Sequence, residues 1–235
     1  WKQELRRPRH GAPLPPPDPP FAESFARFCA ADQAVRRLIV IGVGTMAFAM
    51  ADILLEPYGG QVLGLPVAAT TKLTALLAFG GVLGFTLASR VLARGADPFR
   101  MTQAGALIGL PAFAAVIVAG PAGWPALFLA GNFLVGFGAA LFGHGTLTAT
   151  MNLAPREQAG LALGAWGAVQ ATGAGLGIAL SGVLRDVLNA VAPEQGLWGL
   201  APAASGYLGV YALEIALLLV TLVAIAPLLR RRELA

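Results

Sequence analysis

Charge is what this sequence most conspicuously lacks. Only 12% of its 235 residues are Asp, Glu, Lys or Arg, against roughly 25% in an ordinary soluble domain. None of the four occurs from Met101 to Pro155, from Gln158 to Leu184 or from Gln195 to Leu213. A buried soluble core explains one such run, but not several in succession. The single cysteine, Cys29, excludes an internal disulfide. There is no Cys/His cluster, no phosphate-binding Gly-x-x-x-x-Gly-Lys loop and no nucleophile paired with a base, so the chain reads as non-enzymatic. No nucleic acid is expected among its partners.

Apolar length is what it has instead. Hydrophobic residues make up 57% of the chain and the mean hydropathy is +0.71. A bilayer core about 30 Å thick takes about 20 apolar residues in a helix. Six segments meet that requirement, at about 38–56, 68–89, 102–119, 125–152, 158–184 and 206–229. The fold class is therefore an all-α membrane protein with six transmembrane helices. The first span is expected to stop at Pro57, which cannot continue a helix. The run Gly120-Pro-Ala-Gly-Trp-Pro125 divides the longest uncharged stretch. Thirty glycines suit helices that pack without a hydrophobic driving force between them.

Ahead of the spans lies a different composition. Residues 1–20 are basic and then proline-rich, which favours an extended linker. In 21–36, Phe21, Phe25, Phe28 and Cys29 recur at helical spacing opposite Glu23, Arg27 and Asp32. That pattern predicts an amphipathic helix in the membrane interface. The six-helix domain then occupies 37–232. The first residue is Trp and no cleavable signal follows it, so either processing or a larger parent polypeptide is expected.

Orientation follows from the basic residues near the span ends. Of 16 Lys and Arg, 14 fall on one side, including Arg36, Arg37, Arg90, Arg94, Arg100, Arg156 and Arg230. Only Arg185 and Lys72 belong to the other. Both termini are therefore expected in the cytoplasm, in agreement with an even number of spans.

Two stretches resemble a known family. One is Gly44-Thr-Met-Ala-Phe-Ala-Met-Ala-Asp-Ile-Leu-Leu-Glu-Pro-Tyr-Gly-Gly60. The other is Gly143-His-Gly-Thr-Leu-Thr-Ala-Thr-Met151, followed by Gly160-Leu-Ala-Leu-Gly-Ala-Trp-Gly-Ala-Val-Gln-Ala-Thr172. Together they resemble the PucC-type, bacteriochlorophyll-delivery family of the major facilitator superfamily, across about 36–232. The resemblance implies the second half of a twelve-span transporter and a role in assembling light-harvesting complexes. It also implies bacteriochlorophyll as cargo or bound ligand. Implied partners are the lipid bilayer, a missing N-terminal half or complementary subunit, and light-harvesting or reaction-centre polypeptides. The implied location is the bacterial inner or intracytoplasmic photosynthetic membrane. One departure is Ser89, in Leu87-Ala-Ser-Arg90, where the superfamily's cytoplasmic loop carries an acid. The competing reading is a proton-coupled secondary transporter of a small lipophilic solute.

Polar residues at membrane depth are costly and mark candidate sites. Asp52 and Glu56 share a helix face, with Thr45 two turns below. Asp52 lies about 22 Å along the axis from Arg37 at 1.5 Å per residue. These acids, with Lys72, are read either as a charge or proton site or as a structural salt bridge from Lys72. His144 is the only histidine in a span. In a pigment-handling family it is the candidate axial ligand to pigment magnesium, and in no other sense a metal site. The alternative is a hydrogen bond from His144 to Gln170 or a carbonyl. Trp166, Gln170 and Asn132 complete the candidate pigment site. Glu214 is a further membrane acid with no partner assigned. Gly160, Gly164 and Gly167 form one small-residue stripe on the fifth span, and Gly173 and Gly177 a second. Both are read as helix-packing surfaces, with a ligand groove as the alternative.

Overall fold

The computed structural model describes residues 21–30, 33–154, 158–191 and 202–230. The proline-rich stretch 1–20 lies outside them, as do Arg156, Arg231 and Arg232. Eight helices form among the described residues: α1 (Phe21–Ala30), α2 (Ala34–Met50), α3 (Leu55–Gln61), α4 (Val67–Ala93), α5 (Pro98–Ala122), α6 (Pro125–Leu153), α7 (Ala159–Val191) and α8 (Pro202–Arg230). Six spans among the described residues are long and apolar enough to cross a membrane, with α2 and α3 together making the first. The chain is a multi-pass, all-α membrane protein.

Local chemistry sets the helix ends. The Asp97 side chain accepts from the Phe99 N–H at 2.9 Å, with Pro98 in the first turn, so α5 starts ahead of the expected Thr102. Gly123 adopts φ 56° and closes α5, and two residues later Pro125 opens α6. The helix expected over 21–36 is divided: Gln33 takes the left-handed φ of 60°, and Arg36 and Arg37 fall in the first turns of α2. α7 continues past Leu184 to Val191, because Arg185 and Asp186 end the apolar run without ending the helix.

The first span departs most from expectation. It does not stop at Pro57. The helix breaks at Ala51–Leu54 and resumes as α3, with Pro57 in its first turn. Pro57 has no N–H for the Ile53 carbonyl four residues back, and its ring crowds that carbonyl, so the break falls ahead of the proline.

Successive spans run antiparallel. The start of α2 meets the start of α5 and the ends of α6 and α8 around Arg37, Phe99, Thr150 and Leu228. At the opposite end, Tyr58 of α3 packs its ring within 5.6 Å of Phe128, Tyr207 and Tyr211. Between them, Phe48 packs at a tilt against Phe113 and Phe142, with ring centres about 6 Å apart. α6 is the central helix. It presses so closely on α4 that a Cβ on Gly80 or Gly136 would strike the other helix's backbone. By contrast, α4 and α7 bury only 17% of their most apolar windows.

Candidate functional site

A cleft opens between α2, α4, α6 and α7, since α4 and α7 do not close on each other. Its middle section, about 200 Å³, is lined by Thr45, Asp52, Leu77, Gly136, Gly143 and Gln170, among others. A second section of about 280 Å³ lies toward α3 and is lined by Asp52, Glu56, Leu73, Thr74, Leu77 and Asn132. The two sections share Asp52 and Leu77, so they form one continuous cleft with an apolar middle and an acidic end.

The helix break places the acids. Asp52 lies in the non-helical turn and is exposed to the cleft. Glu56 follows in the first turn of α3 and accepts a hydrogen bond from the Thr74 hydroxyl of α4. Asn132 is fully buried and donates Nδ2 to the Leu73 carbonyl at 2.7 Å, while its Oδ1 has no partner. The expected salt bridge from Lys72 is not formed: among the described residues no ion pair joins Lys72 to Asp52 or Glu56. Thr74 faces the cleft, and Lys72, two residues and about 200° away on α4, points elsewhere.

The candidate pigment residues do not converge. Gln170 lines the middle of the cleft and Asn132 its acidic end. Trp166 instead donates Nε1 to the Thr146 hydroxyl at 3.2 Å, tying α7 to α6. The α6 residue facing Gln170 is Gly143, on which a Cβ would lie 3.9 Å from Gln170 Nε2. His144, one position on, packs edge-to-face against Phe85 of α4 with ring centres 5.4 Å apart. Its Nδ1 is buried without a hydrogen-bond partner. Being buried, Nδ1 is closed to a ligand outside the fold, which leaves Nε2 as the nitrogen for an axial bond. The hydrogen bond to Gln170 or a carbonyl is not made through Nδ1.

The two glycine stripes of α7 behave differently. A Cβ on Gly173 would lie 2.7 Å from the Gly42 carbonyl oxygen, and one on Gly177 2.7 Å from that of Met46. These two make the α2–α7 contact. Nothing lies within 4 Å of a Cβ on Gly160, Gly164 or Gly167. That stripe packs on no described part of the chain, because the α2-facing side of α7 lies on its opposite flank.

Sequence reasoning missed Thr74 as the partner of Glu56, and no local pattern marks it. It also missed a polar cluster beyond the aromatic end. Arg185 pairs with Asp186 at 2.6 Å and lies 5.5 Å from the Tyr207 ring centre, and the Tyr207 hydroxyl donates to Gln61 Oε1 at 2.8 Å. Glu214 is fully buried and neither carboxyl oxygen has a hydrogen-bond partner.

The motifs quoted above now have structural meanings. Gly44 admits the Phe142 ring, Asp52 to Pro57 build the break, and Gly59 packs against Phe128 and Leu73. The second motif supplies Gly143 to the cleft, Gly145 against the start of α5 and Thr146 to Trp166. The sequence as a whole matches the family described as PUCC protein over residues 1–233. The chain belongs to that family. It is 54% identical to Protein PucC of Cereibacter sphaeroides over 230 residues, 98% of this chain and 49% of that protein. Protein PucC of Rhodobacter capsulatus is 49% identical over 236 residues, covering 98% of this chain and 50% of its own length. A more distant relative, the bacteriochlorophyll synthase 44.5 kDa chain of Rhodobacter capsulatus, is 29% identical over 211 residues, 87% of this chain and 49% of that one. The chain spans about half the length of the curated relatives it matches.

Proposed function

We propose that this chain is the membrane-embedded part of a factor that delivers bacteriochlorophyll and assists assembly of light-harvesting complexes. The observation that carries this reading is family membership along the whole chain, with a relative whose name links it to bacteriochlorophyll. The exposed apolar flanks of α4 and α7 agree with a lipophilic cargo. The two sections of the cleft, about 200 and 280 Å³, together reach only the low end of the roughly 300–1,000 Å³ of pockets that enclose drug-sized ligands, and a chlorin is larger than these. A chlorin therefore docks against the open face rather than inside the cleft. His144 would supply its axial nitrogen ligand. A second half or complementary subunit covers the α4 and α7 flanks in the working protein, and antenna or reaction-centre helices are the recipients. The role is accessory and non-catalytic. A proton-coupled transporter would use the acids of the cleft, but the larger part of the lining is apolar.

The membrane is the bacterial inner or intracytoplasmic membrane with both termini cytoplasmic. Arg36, Arg37, Arg90, Arg94 and Arg100 all lie toward the end where α2 begins, which supports that orientation. Cysteines placed at the exposed Gly60 and Ala122 should react with an impermeant reagent from outside, and one at Ala96 should not; the opposite pattern reverses the topology.

Pigment retention tests the cargo. Gentle detergent extraction should retain far-red absorption with the chain, and His144→Phe should lower it while expression and melting temperature hold. His144→Gln should be milder. Unchanged pigment with a lowered melting temperature means that His144 is a structural residue.

A further inference from the structure

The acidic end of the cleft is not explained by pigment handling. Beside Leu55, Leu73 and Leu77, its polar groups all bring oxygen: the carboxylates of Asp52 and Glu56, the Thr74 hydroxyl and the Asn132 amide. Among the described residues, no cation forms an ion pair with either acid. Two carboxylates at membrane depth with no counter-charge carry a large cost. Thr74 relieves only one oxygen of Glu56.

Asn132 is the independent sign of a ligand. It is 0% exposed, it lines this section, and its Nδ2 is committed to the Leu73 carbonyl. Its Oδ1 is left as a buried acceptor without a donor. An apolar residue would avoid that cost, so retaining the amide makes physical sense where something positive meets the oxygen. The broken helix adds to this. Pro57 provides no N–H to the Ile53 carbonyl, and irregular backbone beside a cavity is how membrane helices present carbonyls to ions.

We propose that the α3 end of the cleft binds a hard inorganic cation, held by Asp52, Glu56 and the Asn132 amide oxygen. The donor set selects the class. Oxygen ligands without imidazole or thiolate suit alkali and alkaline-earth ions rather than zinc or copper. Among the described residues no group of three or more His, Cys, Asp and Glu gathers to hold a transition metal. A volume of about 280 Å³ leaves room for the ion to keep several waters, each occupying roughly 30 Å³. The site stands independently of the pigment reading.

The test is the melting temperature of the full chain in zwitterionic nanodiscs, followed by tryptophan fluorescence. Sodium, potassium, magnesium and calcium chlorides are compared with choline chloride at matched ionic strength. At saturation one inorganic cation should raise the midpoint by roughly 5 °C over choline. Glu56→Gln should weaken its apparent affinity by roughly tenfold or more, and Asp52→Asn likewise. Asn132→Leu, which removes the orphaned oxygen, should weaken it as well, and Lys72→Gln should change nothing. If Asp52→Asn does not fold, the Glu56 and Asn132 variants decide. Equal stability in all salts overturns the site, as does a shift that persists unchanged in Glu56→Gln.

Discussion

α6 and α7 are both uncharged through their apolar stretches and rich in glycine, yet they use it in opposite ways. In α6, Gly131, Gly136, Gly138 and Gly145 meet the backbones of α4 and α5 at distances no Cβ allows. In α7 only Gly173 and Gly177 meet a backbone, and Gly160, Gly164, Gly167 and Gly175 face open space. The same spacing of small residues thus marks a made contact in one helix and an unmade one in the next. Glycine lets backbones approach, but it carries no information about whether the partner belongs to the same chain.

The comparison can be broken by substitution. Gly136→Leu should have the largest effect, because its side chain meets the Leu77 backbone, which cannot give way. A loss of about 3 kcal/mol or failure to fold is expected, read as thermal stability in detergent. Gly173→Leu should cost less, about 1–2 kcal/mol, since α7 lies at the edge of the bundle and can shift away from Gly42. Gly164→Leu should change the stability of the isolated chain by no more than about 0.5 kcal/mol. If α7 is the face covered by a complementary half, that last variant should nonetheless reduce co-purification of the partner. A full loss of stability in Gly164→Leu would mean that the stripe is packed after all. The gentlest probe is labelling: with Cys29 replaced by Ser, a cysteine at Gly164 should react with a maleimide in detergent, and one at the buried Ala140 of α6 should not.

The cleft draws a similar contrast between its two ends. Helical spacing predicts Thr45, Asp52 and Glu56 on one face; all three line the cleft, but the break at Ala51–Leu54 interrupts the helix between them, so Thr45 lies in the middle section and Glu56 at the acidic end. The salt bridge expected from Lys72 failed because Thr74, and not Lys72, occupies the cleft side of α4, and that rotation is set by the packing of Gly80 and Gly84 on α6. His144 and Gln170 likewise could not be placed relative to each other from spacing. They sit on different helices, and one residue of rotation in α6 gives Gly143 the contact with Gln170.

Six membrane spans, the turns between the uncharged runs and the family were all legible in the amino-acid order alone. Those properties are sums over neighbouring residues: apolar length against bilayer thickness, and glycine or proline at a turn. Only the tertiary structure decided where the first span breaks, which acid finds Thr74, and which glycine stripe finds a partner. Each of these depends on the rotation of one helix about its axis relative to another, a long-range quantity fixed by packing against residues far away in the chain.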